Sequence, residues 1–120
     1  MSHDIEYTDQ FEDWWNGLNE EEQEDVGASV CRLEEYGVTL GSPHSSSIIG
    51  SRHGHMRELR VQHQGRPYRV LYAFDPVRNA ILLIGGDKTG DGRWYDKYVP
   101  IADDLYDEHL EELRKEARDG

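Results

Sequence analysis

Strand-forming runs separated by turn residues occupy the middle of the chain and restrict it to few folds. Runs rich in β-branched and aromatic residues predict strands at residues 55–62, 67–74 and 80–84. Turns are expected around Gly65 and Pro76, because glycine and proline fit the backbone angles of tight turns. Connections this short join antiparallel neighbours. The sequence therefore predicts a three-stranded antiparallel meander.

A helical pattern precedes the strands. Residues 7–18 carry one apolar stripe behind Thr8, a suitable N-cap. Residues 19–36 predict a second helix, which Asn19 caps and Gly37 ends. The two helices are expected to form a hairpin packed on the sheet. The side chains expected on its buried stripes are Phe11, Trp14, Trp15, Leu18, Val26, Val30 and Leu33.

The remaining segments complete a single-domain α+β prediction. Residues 41–54 are rich in Ser, Gly, Pro and His and predict a loop that contributes a short strand. A C-terminal helix is predicted over residues 102–118, with Pro100 near its start. The expected order is α-α-β-β-β-α. At 120 residues, residues 1–120 are expected to fold as one domain.

Charge is distributed unevenly along the chain. The net charge is −12, yet residues 52–98 carry nine Lys/Arg against five Asp/Glu. Residues 1–51 carry one Lys/Arg and twelve Asp/Glu, and residues 99–120 carry three and eight. Net repulsion opposes the approach of a polyanion such as RNA. A nucleic-acid role therefore requires one focused cationic patch in the middle segment.

The same composition guides the expected location. The single cysteine, Cys31, has no second cysteine for an internal disulfide. No apolar run approaches the roughly 18 residues of a membrane span. The polar, acidic start differs from the cationic and then apolar layout of a secretory signal. We expect a cytoplasmic protein without a membrane role.

Cationic residues on the predicted strands suggest an anion site. Alternation places Glu58 and Arg60 on one strand face, which Arg69 can share from the neighbouring strand. The following Gly-rich loop brings Lys88 and Arg93 toward the same rim. Clustered guanidinium groups bind phosphate oxygens and stabilise developing negative charge. The alternative interpretation is a solvated strand face with ordinary cross-strand ion pairs.

Neither a metal site nor a nucleotide cofactor is expected. His53 and His55, with His63 or His44, could meet a metal ion, but they lack a Cys, Asp or Glu framework at recognised spacing. The loop GGDKTG lacks the spacer and the Gly-Lys-Ser/Thr ending of a P-loop. His55 remains a candidate for proton transfer.

Two aromatic residues follow that loop. Trp94 and Tyr95 could stack on unpaired bases. Core packing is the alternative for Trp94, whereas Tyr95 keeps a hydroxyl that chemistry can use.

In this order, the segments HMRELR, GRPYRVLYAFDP, AILLIGGDKTG and IADDLYDEHL resemble the RelE/ParE toxin superfamily, and in particular its HigB-like, phage-derived branch. The resemblance covers roughly residues 8–113. It implies a microbial-RNase-like α+β fold. It also implies a type II toxin that cuts messenger RNA on the ribosome, without a metal, by attack of a ribose 2′-hydroxyl on the adjacent phosphate.

The resemblance also implies roles for individual residues. Arg60 and Arg69 match the family's basic strand positions and would hold the scissile phosphate, and Lys88 would stabilise charge or the leaving group. Tyr95 or His55 would assist orientation or proton transfer. Arg57, on the strand face opposite Arg60, would contact the RNA backbone or the ribosome from an edge. The general base stays unassigned, because arginine is a poor base.

The resemblance implies partners and alternatives as well. The expected partner is a cognate antitoxin with a helix-turn-helix, through which alone the toxin would contact operator DNA. Ribosome-directed members are usually basic, and this chain is acidic, which places ribosome docking in question. The alternatives are a ParE-like toxin that blocks DNA gyrase without cutting RNA, and a decayed toxin that serves only as a corepressor with its antitoxin.

Overall fold

A computed structural model describes residues 4–119, so residues 1–3 and 120 of the predicted domain lie outside the described part. Helices flank a sheet on both faces, in the α+β class that the sequence predicts. The elements in chain order are β1 (Ile5–Tyr7), α1 (Asp9–Asn16), α2 (Glu20–Tyr36), a short 3-10 helix (Gly37–Thr39), β2 (Ser45–Ser47), β3 (Arg57–His63), β4 (Arg66–Phe74), β5 (Ala80–Asp87) and α3 (Trp94–Asp119).

The sheet has five strands in the order β1-β5-β4-β3-β2. Its centre is the predicted antiparallel meander of β3, β4 and β5. The short β2 pairs antiparallel with β3, which confirms the strand expected within the loop. The N-terminal β1 was not predicted, and it pairs parallel with β5, so the sheet is mixed rather than wholly antiparallel.

The helical hairpin forms as predicted, and its ends show why. The Thr8 hydroxyl accepts the Phe11 N–H at 3.0 Å and donates to the Leu83 carbonyl at 2.6 Å, which joins the start of α1 to β5. Asn19 and Glu22 form a reciprocal capping box at the start of α2, with both bonds at 2.8 Å. Gly37 ends α2 with a φ of 55°, which favours glycine.

Two apolar layers lie on opposite faces of the sheet. Alternation along β3 directs Leu59 and Val61 to the hairpin, where they pack with Phe11, Val26 and Leu33. The opposite face packs against α3 through residues that include Met56, Leu71, Leu83, Trp94 and Ala102. Glu58, Arg60 and Arg69 belong to this second face, beyond the apolar layer.

The C-terminal helix is longer than predicted. It begins at Trp94 rather than at residue 102, and Pro100 lies inside it. The prediction took Pro100 for a first-turn residue, since proline lacks the N–H that a helix interior uses. The early start places Tyr95 on the first turn of α3, over the sheet. None of the helices within residues 4–119 is long and apolar enough to cross a membrane.

Tyr68 joins the sheet to the hairpin and gives a pH-dependent test of the fold. It is buried, and its hydroxyl donates to Glu22 on α2. Burial, and then the bond to Glu22, raise the pKa of Tyr68 from 10.0 to about 12. A group whose pKa is raised by folding contributes stability that is complete below its unfolded pKa and is lost through its folded pKa.

We therefore expect the free energy of unfolding to fall between pH 10 and pH 12, and to fall less steeply in Tyr68→Phe. Urea unfolding of both proteins at pH 9, 10.5 and 11.5 measures this, because only the difference between them isolates Tyr68 from the lysines and other tyrosines. Parallel pH dependence in the two proteins would contradict the assignment.

Candidate active site

A carboxylate lies at the centre of the α3 face. Glu58 on β3 is only 7% exposed. Its Oε2 accepts a hydrogen bond from the Ser46 hydroxyl at 2.7 Å, and its Oε1 accepts one from the Tyr95 hydroxyl at 2.6 Å. Arg69 Nε lies 3.3 Å from the same Oε1, but its N–H is not aligned for a hydrogen bond. The carboxylate is thus an acceptor that two hydroxyls and one cation surround.

The predicted pair of arginines forms, with different exposure. Arg60 and Arg69 are direct cross-strand partners, so their side chains share a face as the sequence predicts. Arg69 is buried, and one of its terminal nitrogens donates to the Tyr68 carbonyl at 3.0 Å. Arg60 is exposed and has no ion-pair partner among residues 4–119. One guanidinium is therefore fixed beside Glu58, and the other is available to an anion.

Tyr95 connects this centre to the Gly-rich loop. Burial and the bond to Glu58 raise the pKa of Tyr95, with burial the larger cause, so the phenol is protonated at neutral pH. The Lys88 ammonium lies 5.3 Å from the centroid of the Tyr95 ring, within range of a cation–π contact. The structure thus brings Lys88 against the ring of Tyr95.

A cleft gives access to the carboxylate. It has a volume of about 330 Å³ and is lined by Ser47, Ile48, Ile49, Glu58 and Tyr95. Its apolar wall comes from the loop after β2, and its polar side from β3 and α3. A larger apolar groove of about 440 Å³ lies on the hairpin, away from this chemistry. The buried carboxylate of Glu58, with its contacts to Tyr95 and Arg69, distinguishes the smaller cleft as the candidate active site.

Two predicted site residues stand apart from this cleft. Trp94 is 1% exposed and packs against Gly86, so it cannot stack on a base; the core alternative is correct for this residue. His55 Nε2 lies 3.1 Å from the Tyr106 hydroxyl, which itself donates to the Phe74 carbonyl, so His55 donates to Tyr106. Tyr106 is eleven residues beyond Tyr95 on α3, roughly 16 Å at 1.5 Å per residue.

The other two predicted RNA contacts differ in position. Arg57 lies on the hairpin side of β3, where its side chain donates to Ser45 at 3.0 Å and to Ser47 at 3.1 Å. Arg93 is exposed immediately before α3, and its backbone N–H is held by Asp91 at 3.0 Å. Arg93 is therefore an exposed cation at the start of α3, whereas Arg57 stabilises the edge strand β2.

Sequence reasoning did not assign roles to Glu58 and Ser46. The motif HMRELR had already placed Glu58 on the face of Arg60, yet an acid between arginines is equally typical of an ion pair. On the strand face predicted for Arg60 and Arg69, Glu58 is the single acidic residue. That isolation is the signal that could have singled it out. Ser46 lies in a Ser-rich loop with no distinguishing pattern, so only the pairing of β2 with β3 reveals it.

One group of ligand-type side chains lies close together elsewhere. Glu6, Asp75 and His109 bring one potential metal-ligand atom each within 4.8 Å of one another. Asp75 Oδ1 accepts the N–H groups of Val77 and Asn79, and Oδ2 accepts His109 Nε2 at 2.8 Å. These bonds tie Asp75 to its own turn and to α3. The group therefore holds the β4–β5 turn against α3.

Two curated relatives are similar to this chain in sequence. The chain is 48% identical to HigB2 of Mycobacterium tuberculosis over 99 residues, which are 81% of this chain and 49% of HigB2. It is 45% identical to HigB3 of the same organism over 95 residues, which are 78% of this chain and 82% of HigB3. Both relatives are named as candidate toxins. The chain spans about half the length of HigB2.

A solved structure shares the fold. The toxin RelE of E. coli, determined in the free state as a double arginine-to-alanine mutant, superposes with a TM-score of 0.55. The match covers 94% of this chain and 99% of RelE at 10% identity, which establishes a common fold alone. Together, these comparisons confirm the predicted resemblance to HigB-like and RelE-like toxins. Since residues 13–107 match the family described as phage-derived Gp49-like protein, the chain belongs to that family.

Proposed function

We infer that this chain is the toxin of a toxin–antitoxin pair and that it arrests growth by cutting messenger RNA in the Glu58 cleft. The observation that carries the inference is one buried carboxylate that contacts both a tyrosine hydroxyl and an arginine at an open cleft. The names of HigB2 and HigB3 support the toxin class. The cleft supports the chemistry, because acid–base groups and cations are what RNA cleavage by an internal nucleophile requires.

The first step would use Glu58 as the general base, the role that the sequence left unassigned. Its carboxylate would accept the proton of a ribose 2′-hydroxyl as that oxygen forms a bond to the adjacent phosphorus. Arg69, held beside Glu58, and the exposed Arg60 would neutralise the charge that develops on the phosphorane. The register makes Arg60 and Arg69 cross-strand partners, so both side chains lie on the strand face that carries Glu58.

The second step would release the 5′-oxygen. The bond from phosphorus to that oxygen would break, and the oxygen would take a proton from the ammonium group of Lys88, which lies beside Tyr95. The products are a 2′,3′-cyclic phosphate and a 5′-hydroxyl end. Tyr95 would position the reacting groups, because its protonated hydroxyl already donates to Glu58 and its ring contacts Lys88. No step needs a reagent other than RNA.

Tyr95→Phe tests that positioning role. The variant keeps the ring beside Lys88 and loses only the hydrogen bond to Glu58. We expect kcat to fall about tenfold with little change in KM, since one hydrogen bond to a charged group contributes roughly 1.5–3 kcal/mol. Single-turnover cleavage measures it. A rate equal to that of the wild type would show that the hydroxyl has no part in the reaction.

Mapping RNA ends after induced expression tests the function as a whole. The protein is expressed with and without the product of the adjacent gene, and 5′ ends are mapped on translated and untranslated copies of one transcript. The proposal predicts 5′-hydroxyl ends on the translated copy and protection by the partner. Cuts on both copies would mean that the protein is a ribonuclease that does not require the ribosome.

One observation favours a second function. The chain carries a net charge of −12, and residues 1–51 hold twelve of its acidic residues, which opposes docking on ribosomal RNA. A toxin that blocks a protein target such as DNA gyrase has no such conflict. Growth arrest with DNA damage and without RNA cuts would identify it. A stable complex with the partner and no arrest would indicate a decayed toxin that acts only as a corepressor.

A further inference from the structure

Ile49 is the most exposed large apolar residue of the described chain, at 95% exposure. It lies on the wall of the active-site cleft with its neighbour Ile48. The two side chains differ in surroundings, because Ile48 packs against the apolar layer under α3, whereas Ile49 projects into solvent. Ile49 thus contributes little to the core.

The loop that carries Ile49 is fixed on both sides. Before it, the Ile48 N–H donates to the Met56 carbonyl at 3.0 Å. After it, the buried Asp103 of α3 accepts the Ser51 hydroxyl at 2.5 Å and the Arg52 N–H at 3.0 Å. These anchors fix the backbone on either side of Ile49, whose side chain stays exposed. The backbone of the loop is therefore preorganised to present an apolar group to something that enters the cleft.

The chemistry of the cleft indicates what enters. Its wall is aliphatic, and two cations lie nearby: Lys88 against the ring of Tyr95, and the exposed Arg60 on the same strand as Glu58. A nucleotide combines an apolar base face with an anionic phosphate, which matches both features. A protein partner would cover these cations without needing a cleft that leads to a buried carboxylate. The combination favours an unstacked nucleotide as the occupant of the wall.

We propose that Ile49 supports the face of a nucleobase beside the scissile phosphate and so separates it from its neighbour in the RNA strand. This inference rests on the proposed ribonuclease function and adds a substrate-positioning residue to it. In-line attack requires the two nucleotides that flank the phosphate to splay apart, which costs them their mutual stacking. An aliphatic side chain replaces that contact without reading base edges, so Ile49 contributes binding rather than sequence recognition.

The test compares Ile49→Ser with Val38→Ser, which alters another exposed β-branched residue that does not line the cleft. We expect Ile49→Ser to raise KM for RNA on programmed ribosomes about tenfold and to leave kcat within about twofold. Val38→Ser should match the wild type. Unchanged KM in Ile49→Ser, or a loss confined to kcat, would overturn the proposal.

A binding measurement separates this proposal from the ribonuclease itself. Full-length Glu58→Gln protein, with and without Ile49→Ser, is added to single-stranded RNA that carries 2-aminopurine, both free and on programmed ribosomes. Fluorescence should rise as the base unstacks, and rise less with Ile49→Ser, even if no cleavage occurs. Equal fluorescence with and without Ile49→Ser would contradict the proposed contact between Ile49 and the base. Weakened capture of the partner protein with unchanged RNA binding would reassign Ile49 to a protein interface.

Discussion

Glu58→Gln is expected to abolish RNA cleavage and growth arrest while the protein remains folded. The amide keeps the size of the side chain. Its oxygen can accept one of the two hydroxyls that now donate to the carboxylate, those of Ser46 and Tyr95, while its NH2 group donates to the other. It cannot take up a proton from a ribose 2′-hydroxyl. Removal of a general base costs about 10²- to 10⁴-fold in rate, and we expect a loss of at least about 100-fold in kcat.

The measurement is single-turnover cleavage with a thermal melt of each protein. Glu108→Gln is the matched control, because it removes one exposed carboxylate from α3 outside the cleft. Its rate should equal that of the wild type. A fully active Glu58→Gln protein would remove Glu58 from the mechanism. If Glu58→Gln is inactive because it does not fold, Glu58→Asp takes its place in the test, because aspartate keeps the negative charge on a shorter side chain.

Gly85→Ala is expected to cause the largest loss of stability among single methyl additions. A Cβ at Gly85 would lie 2.3 Å from two ring atoms of Trp14, far inside van der Waals contact. The ring has little room to move, since it also packs against Phe11 and Tyr68 with centroids 5.7 Å and 6.3 Å away. Overpacking of this kind costs about 3 kcal/mol, which would lower the melting temperature by roughly 10 °C.

Gly54→Ala provides the control, because a Cβ there meets no atom within 4 Å. Its melting temperature should stay close to that of the wild type. The double variant Gly85→Ala with Trp14→Leu should recover part of the loss, since the smaller side chain vacates the space beside β5. Additive losses in the double variant would refute the steric explanation.

The alternation of side chains along the strands and the capping residues of the helices predicted most of the fold. The opposite orientation of Glu58 and Leu59 follows from the two-residue period of a strand, and Asn19 and Gly37 set the limits of α2. β1 was not predicted, because a strand of three residues is too short to show an alternating pattern of apolar and polar side chains. Its pairing of Ile5 with Ala80 joins positions 75 residues apart, which no local pattern reports.

The site was predicted less completely, for physical reasons. The shared face of Arg60 and Arg69 followed from alternation once the turn set the register. The role proposed for Glu58 did not, because a sequence cannot separate an ion-pair partner from a proton acceptor beside a cleft. The sequence left Trp94 open between core packing and base stacking. Its burial depends on Gly86 having no side chain, since a Cβ there would lie 2.7 Å from the indole nitrogen.

The division of the cleft between sheet and loop has an evolutionary consequence. Glu58 and Arg69 lie on paired central strands, where most substitutions disturb the core. Ile49 lies on a surface loop, and its exchange leaves the core intact. Descendants of such a protein can change how tightly the cleft binds its substrate through the loop while they inherit the proposed reactive groups unaltered. Duplicated copies in one genome can then differ in substrate affinity before they differ in chemistry.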